Sequence, residues 1–403
     1  MDKYSLDDIS KFIRNGASIK QFDNAKGYPI TRIETIANFR IDLDRVGYAD
    51  IFELSKYEDY LLKKGDILMS HINSEKHLGK SAIVENDDNK IIHGMNLLCI
   101  RVDEKLIVPK FLNYYFNHHK FKNKLPKITK KSVNQASFSV TDLKNIEIEV
   151  PDIDIQTRTV EVLDKAQELI EKRKEQIEAL DELVKSRFIE MFGDPLKNEK
   201  EWEISQIGKY LNILTDYHSN GSYETLRDNV TLLDKPSYAL MVRTTDLESN
   251  NFEDNVKYID EHAYNHLEKS KVFGGEIIIN KIGSAGKVYL MPFLNRPVSL
   301  AMNQFLLRFN ENKVNHIFLY NLLLTPYMVI KINEKVRGAV TKTITKDAIR
   351  EINIIVPPIE LQNEFADFIK QVDKLKSEMN TSLKELEDNF NSLMQKAFKG
   401  ELF

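Results

Sequence analysis

Two stretches of this chain carry the same hydrophobic rhythm. Leu163, Ala166, Ile170, Arg173, Ile177, Leu180, Val184, Arg187 and Met191 are spaced alternately three and four residues apart. That 3.5-residue period lines one face of a helix with side chains suited to a partner helix. The seam returns 206 residues later as Ile369, Val372, Lys376, Met379, Leu383, Leu386, Phe390, Leu393 and Ala397. Two seams of equal length and phase predict two long helices that pair antiparallel, with Leu163, Ile170, Ile177, Leu180, Val184, Ile369, Val372, Leu383, Leu386, Phe390 and Leu393 at the interface. A helix over Gln156–Met191 would be about 54 Å long, at ~1.5 Å per residue.

The stretches between the helices repeat as well, at offsets of 198 to 211 residues. Leu6, Ile9 and Phe12 are echoed by Ile204, Ile207 and Tyr210; the strand-like run 28–36 with Arg32 by 238–247 with Arg243. Gly65-Asp66-Ile67-Leu68 answers Gly275-Glu276-Ile277-Ile278, each a turn glycine before a short buried strand. A turn ending in Gly79-Lys80 matches Gly286-Lys287, and Met95-Asn96 with Arg101 matches Met302-Asn303 with Arg308. Helices are expected at Pro109–Phe121 and Asn315–Ile332. Alternating strands (Ile146, Ile148, Val150; Ile352, Ile354, Val356) then close on Pro151 and Pro357. Proline ahead of each long helix is ordinary punctuation; its recurrence at a fixed offset marks an internal repeat. The expected fold class is α+β: two mixed α/β globular domains, 1–151 and 196–357, alternating with helices at 152–195 and 358–403.

Charge refines the picture. The whole chain is −4 at pH 7, which argues against nucleic acid. The helical segments hold the excess acid, however. Residues 105–141 carry eight lysines and no acid, Lys127, Lys130 and Lys131 among them. The later counterpart, 312–346, holds Lys335, Arg337 and Lys342 in a run whose one acid is Glu334. Local basic patches govern phosphate binding more than total charge. With Arg32, Lys80, Arg243, Lys281 and Lys287 these are the candidate DNA contacts. The single cysteine, Cys99, excludes an intrachain disulfide and fits a reducing compartment. No apolar run reaches membrane-spanning length, and the first ten residues are too polar for a signal peptide, so a cytoplasmic protein is expected.

Catalytic signatures are missing. Gly283-Ser284-Ala285-Gly286-Lys287-Val288 is two residues short of a phosphate-cradling loop and lacks the following Ser or Thr. No motif for gripping an extruded adenine, no glycine-rich cofactor fingerprint and no carboxylate–lysine nuclease cluster is present. His118 and His119 have no Cys or acidic partners for a metal. These gaps favour a binding protein over an enzyme.

The Gly-Asp-Ile-Leu pattern, the Ile282–Lys287 turn, the phrase Pro357-Pro358-Ile359-Glu360-Leu361-Gln362 and the terminal Phe398-Lys399-Gly400-Glu401-Leu402 together resemble the specificity (S) subunit of Type I restriction-modification systems. The resemblance spans the chain. It implies two target recognition domains that each read half of a bipartite, asymmetric site in double-stranded DNA. It implies helices that set the spacer between the halves and dock methyltransferase (M) subunits, two of them expected. Restriction (R) subunits would join the complex. Such a subunit is not itself an enzyme: no cofactor is expected in this chain, with S-adenosylmethionine, ATP and Mg on the partners. The first domain departs from the pattern at Ser70–Lys80, which carries His71 and extra residues. The rival reading is a coiled-coil repeat adaptor without DNA specificity.

Overall fold

The computed structural model describes residues 2–37, 39–133 and 135–403. The chain divides into two compact units, Met1–Glu175 with Thr381–Phe403, and Gln176–Asn380. The central helix, Ile153–Phe192, and the last helix, Ile359–Lys399, each give part of their length to each unit.

In the first unit, a six-stranded sheet runs in the order Ser10–Asn15, Leu97–Val102, Ile67–Ser70, Ser81–Ile83, Arg40–Ile41, Ile36–Ala37. Ile67, Leu68 and Met69 are fully buried, as expected for a strand covered on both faces. A separate pair, Asp2–Ser5 with Glu147–Val150, alternates exposed and buried along its second strand and turns Ile148 and Val150 into the core.

The second unit repeats this centre. Leu211–Asp216, Gln304–Phe309, Ile277–Asn280 and Val288–Leu290 form a four-stranded sheet in that order, and Glu203–Gln206 pairs with Asn353–Val356. A second four-stranded sheet is built around Ala239–Val242 and Val298–Leu300, the parallel pair at its centre. The registers match residue for residue: Asn15 opposes Leu98 as Asp216 opposes Phe305, and Ser70 opposes Leu97 as Asn280 opposes Gln304. Asn96 and Asn303 hold left-handed backbone at φ 72° and 73°, a conformation asparagine tolerates better than most residues.

Paired interactions repeat as well. Arg101 grips buried Asp66 with Nε and Nη2, both at 2.7 Å. Arg308 grips buried Glu276 with the same two atoms, at 3.1 and 2.9 Å. Gln156 and Gln362, both fully buried, sit where each long helix begins. Gln156 accepts from the Val108 amide and donates to the Leu106 and Pro151 carbonyls; Gln362 accepts from the Asn315 amide and donates to Pro357. Each glutamine therefore ties a long helix to its own globular body.

Within each unit the two long helices pack together and run in opposite directions. In the first, Arg158 lies over the Phe403 ring while Lys174 meets Glu387. In the second, Asp181 meets Lys376 and Arg187 meets Glu364. Leu163, Ile170, Leu180, Ile369, Val372 and Phe390 are buried; Ile177, Val184, Leu383, Leu386 and Leu393 are half-buried. Leu163, Ile170 and Phe390 belong to the core of the first unit, and Ile369 to that of the second.

Some sequence expectations need correction. The helix expected over Pro109–Phe121 stops at Asn117 and restarts as His119–Lys122, with the His118 ring accepting from the Lys120 amide. The helix expected over Asn315–Ile332 breaks into His316–Leu323 and Pro326–Glu334. Pro326 occupies the first turn of the second piece and Thr325 caps it, and a proline cannot continue a preceding helix. The run 238–247 is a strand, Ala239–Val242, followed by a helix, Thr244–Ser249.

Candidate nucleic-acid interface

In the second unit the turn Ile282–Lys287 is stitched to the basic segment 337–344. Ile282 and Arg337 both bridge to Thr343, the Gly283 amide donates to the Lys342 carbonyl, and the Ile344 amide donates to Lys281. Gly286 requires its glycine: φ is +86°, and an added Cβ would meet Ile332 Cγ2 at 2.9 Å. Lys281, Lys287, Arg337 and Lys342 are thereby brought to one end of the sheet.

The first unit builds the same arrangement from strands. Ile72–Asn73, Ala136–Ser137 and Lys130–Lys131 form a three-stranded sheet, and the Phe138 amide donates to the His71 carbonyl. Gly79 (φ +71°) packs where a Cβ would overlap Leu125, and Lys122 Nζ donates to its carbonyl. Burial, reinforced by neighbouring Lys80, lowers the Lys122 amine to about 8. The extra residues of this loop form a short 3-10 turn, Glu75–His77. Lys80, Lys127, Lys130 and Lys131 are all exposed here.

The cations differ in how they are held. Lys131 meets Glu75 at 2.6 Å and Lys335 meets Glu351 at 2.9 Å. Lys287 shares one oxygen of Glu248 with the Ser284 and Tyr289 hydroxyls, at 3.2–3.3 Å. Arg337, Lys342, Lys127 and Lys130 are exposed and carry no side-chain ion pair among the described residues. Arg32 and Arg243 are not stitched into either cluster. Arg32 Nε donates to Gln21 Oε1. Arg243 is taken up by buried Asp246, at 2.7 Å, and by the Asn255 carbonyl. A phosphate would have to break that bidentate pair.

Sequence reasoning missed one feature of the second unit. Buried Asp216 accepts from Lys281 Nζ at 3.0 Å, Lys346 Nζ at 2.9 Å and Ser219 Oγ at 2.6 Å. Burial works to raise its carboxyl, but the hydrogen bonds from Ser219, Lys346 and Lys281 outweigh it and hold the group at about 2. Both lysines also lie over the Phe305 ring. The three residues are far apart in the chain, and no spacing rule joins them. Among the described residues no group of three or more His, Cys, Asp or Glu is placed to hold a metal, and no helix is long and apolar enough to cross a membrane.

Residues 1–179 and 199–388 match the family model of the Type I restriction modification DNA specificity domain. A putative type I restriction enzyme MjaX specificity subunit from Methanocaldococcus jannaschii is 31% identical over 387 residues, which cover 92% of this chain and 86% of that protein. The Type I restriction enzyme EcoKI specificity subunit of Escherichia coli K12 is 23% identical over 151 residues, 37% of this chain and 32% of that one. Among solved structures, the S subunit of a Type I restriction-modification system from M. genitalium aligns with a TM-score of 0.56 at 16% identity, over 98% of this chain and 96% of that one. A chain from a study of complex assembly and conformational transition of the type I R-M system aligns with 0.57 at 15% identity, over 100% and 98%. At these identities the two structures speak for the fold.

Proposed function

The chain belongs to the Type I restriction-modification DNA specificity family as a non-catalytic specificity subunit with two specificity domains, and from that premise we propose how it works. Each unit reads one half of a bipartite site in double-stranded DNA. Because the two units differ in sequence, the site is asymmetric. The paired long helices set the spacer and dock two methyltransferase subunits, with restriction subunits joining the assembly in the cytoplasm. The chain carries no cofactor of its own; S-adenosylmethionine, ATP and Mg act on the partners.

The observation that carries this reading is the repeated cluster of cations at the turn and the basic segment of each unit. Exposed Lys127 and Lys130 in one and Arg337 and Lys342 in the other are positioned to neutralise phosphates. Lys80 adds exposed charge, and Lys131, Lys281, Lys287 and Lys335 supply more once their internal partners yield. Arg32 and Arg243 have a smaller part, since both side chains are committed elsewhere. Phosphate contacts fix register, and base contacts specify.

The test is to map N6-methyladenine in DNA from cells that carry this chain with its cognate methyltransferase subunit. The expected result is one bipartite motif with two unlike halves. Removing one heptad from each long helix should change the spacer and leave both halves intact. Methylation without a split motif, or methylation by the purified chain alone, would overturn the proposal.

A further inference from the structure

The matched registers bring equivalent positions together in each unit, and the residues there differ. In the second unit, Asp216, Lys281 and Lys346 form ion pairs there. In the first, strand register sets Asn15 where Asp216 stands. His71 takes the position of Lys281, since its carbonyl accepts from Phe138 as that of Lys281 accepts from Ile344. Val140 takes that of Lys346, each being the first residue of a short helix capped by Ser139 or Thr345. No ion pair can form among Asn15, His71 and Val140. The place is instead an open groove of about 470 Å³, lined by these residues with Lys130 and Phe138, within the ~300–1,000 Å³ range of ligand sites.

Three side chains of this groove carry polar atoms without a partner among the described residues. The Asn15 side chain is exposed and has no hydrogen bond among the described residues, and Lys130 likewise has none. His71 is 7% exposed, yet its Nδ1 has no partner. A buried polar atom left unpaired costs about 1–3 kcal/mol. Burial also lowers the His71 pKa, with a hydrogen bond to the Asn96 backbone partly opposing, which favours a neutral ring whose unpaired Nδ1 can accept. The flanking segment 105–141 is rich in lysine and without acid, so a DNA duplex is favoured as the occupant over an anionic or neutral small molecule.

We infer that this groove is a base-reading site of the first unit, in which Asn15 takes the major-groove edge of an adenine and His71 borders the same base pair. A carboxamide offers one donor and one acceptor side by side, the complement of adenine N7 and N6. Lys130 anchors the neighbouring phosphate. At the equivalent place of the second unit, Asp216, Lys281 and Lys346 are taken up by ion pairs with one another, so its half-site is read from other positions. This inference rests on the proposed function and names the reader within it.

The experiment maps methylated motifs for the parent complex and for Asn15→Ala, Asn15→Asp and His71→Gln chains with the cognate methyltransferase subunit. Asn15→Ala should relax one position of one half-site, with roughly 10- to 100-fold loss of discrimination, and leave the other half-site as in the parent. Asn15→Asp should move the preference at that position from adenine to cytosine, whose amino group a carboxylate accepts. His71→Gln should alter the same base pair. An unchanged motif in the Asn15 variants would overturn the inference, as would equal loss at both half-sites. The unaltered half-site serves as the internal control for folding. A parent that gives no bipartite motif defeats the proposed function itself, a separate outcome.

Discussion

Removing both Arg337 and Lys342 should change how binding responds to salt by a calculable amount. Both side chains are exposed, both neighbour Thr343 in the segment stitched to the Ile282–Lys287 turn, and neither has an ion pair among the described residues. If each neutralises one phosphate, each contributes about 0.9 to the slope of log affinity against log salt, so the double Ala variant should lose about 1.8. Between 50 and 200 mM salt the parent should then lose about tenfold more affinity than the variant. The assay is anisotropy on a fluorescent duplex lacking the target, with the assembled complex at four or five salt concentrations. Lys335 offers a contrast. It must leave Glu351 to reach DNA, and an exposed pair is worth about 0–1 kcal/mol, so Lys335→Ala should weaken binding less than Arg337→Ala. The methylated motif should not change in any of these variants, because phosphate contacts carry no sequence information. An unchanged slope in the double variant would refute the reasoning and move the phosphate contacts elsewhere.

Three further outcomes follow from the packing. Gln362→Ala should destabilise the second unit by about 2–5 kcal/mol, because the Asn315 amide and Pro357 carbonyl lose a buried partner; an unshifted urea midpoint would contradict it. Phe398→Ala should cost about 3–5 kcal/mol in the first unit, since that ring lies 5.0–5.3 Å from Phe111, Tyr115 and His118. Faster hydrogen exchange across Pro109–Asn117 would report it, and parental exchange there would count against it. Asp216 is held at about 2, below its ordinary 3.8. Its stabilisation is therefore complete above about pH 4 and lost as pH falls from 4 to 2. Acid unfolding curves of the parent and of Asp216→Asn should converge across that window; parallel curves would show that the cluster adds no pH-dependent stability.

Much of the fold was legible because it is written twice. A single alternating strand such as Ile146–Val150 is weak evidence; its return as Ile352–Val356 before a second proline and a second glutamine is not. The 3.5-residue seam likewise exposed both long helices to within a few residues of Ile153–Phe192 and Ile359–Lys399. Helix interruptions were harder. Leu, Tyr and Phe at helical spacing run straight through His118 and Thr325, where capping rather than periodicity ends the helix. The sites were legible only in outline. Lysine-rich stretches announced the basic segments, but charge alone did not separate exposed Arg337 from Arg243, whose partner Asp246 lies one helical turn away in the chain. Asn15 and His71 line one groove, and Asp216 meets Lys346, only because segments distant in the chain fold back on each other, and nothing local to either residue signals the other.

The division of the long helices has a consequence for synthesis. The second unit is one continuous segment, Gln176–Asn380, whereas the first needs Thr381–Phe403 to complete its core with Phe390, Met394 and Phe398. On a ribosome, the first 175 residues therefore wait while roughly 200 more are made, on the order of 10–40 s at ~5–20 residues per second. During that interval Phe111, Tyr114 and Tyr115 lack the aromatic partners that will later cover them. The unit translated first is the one finished last, and a nascent chain should need protection there even though its second half can mature on its own.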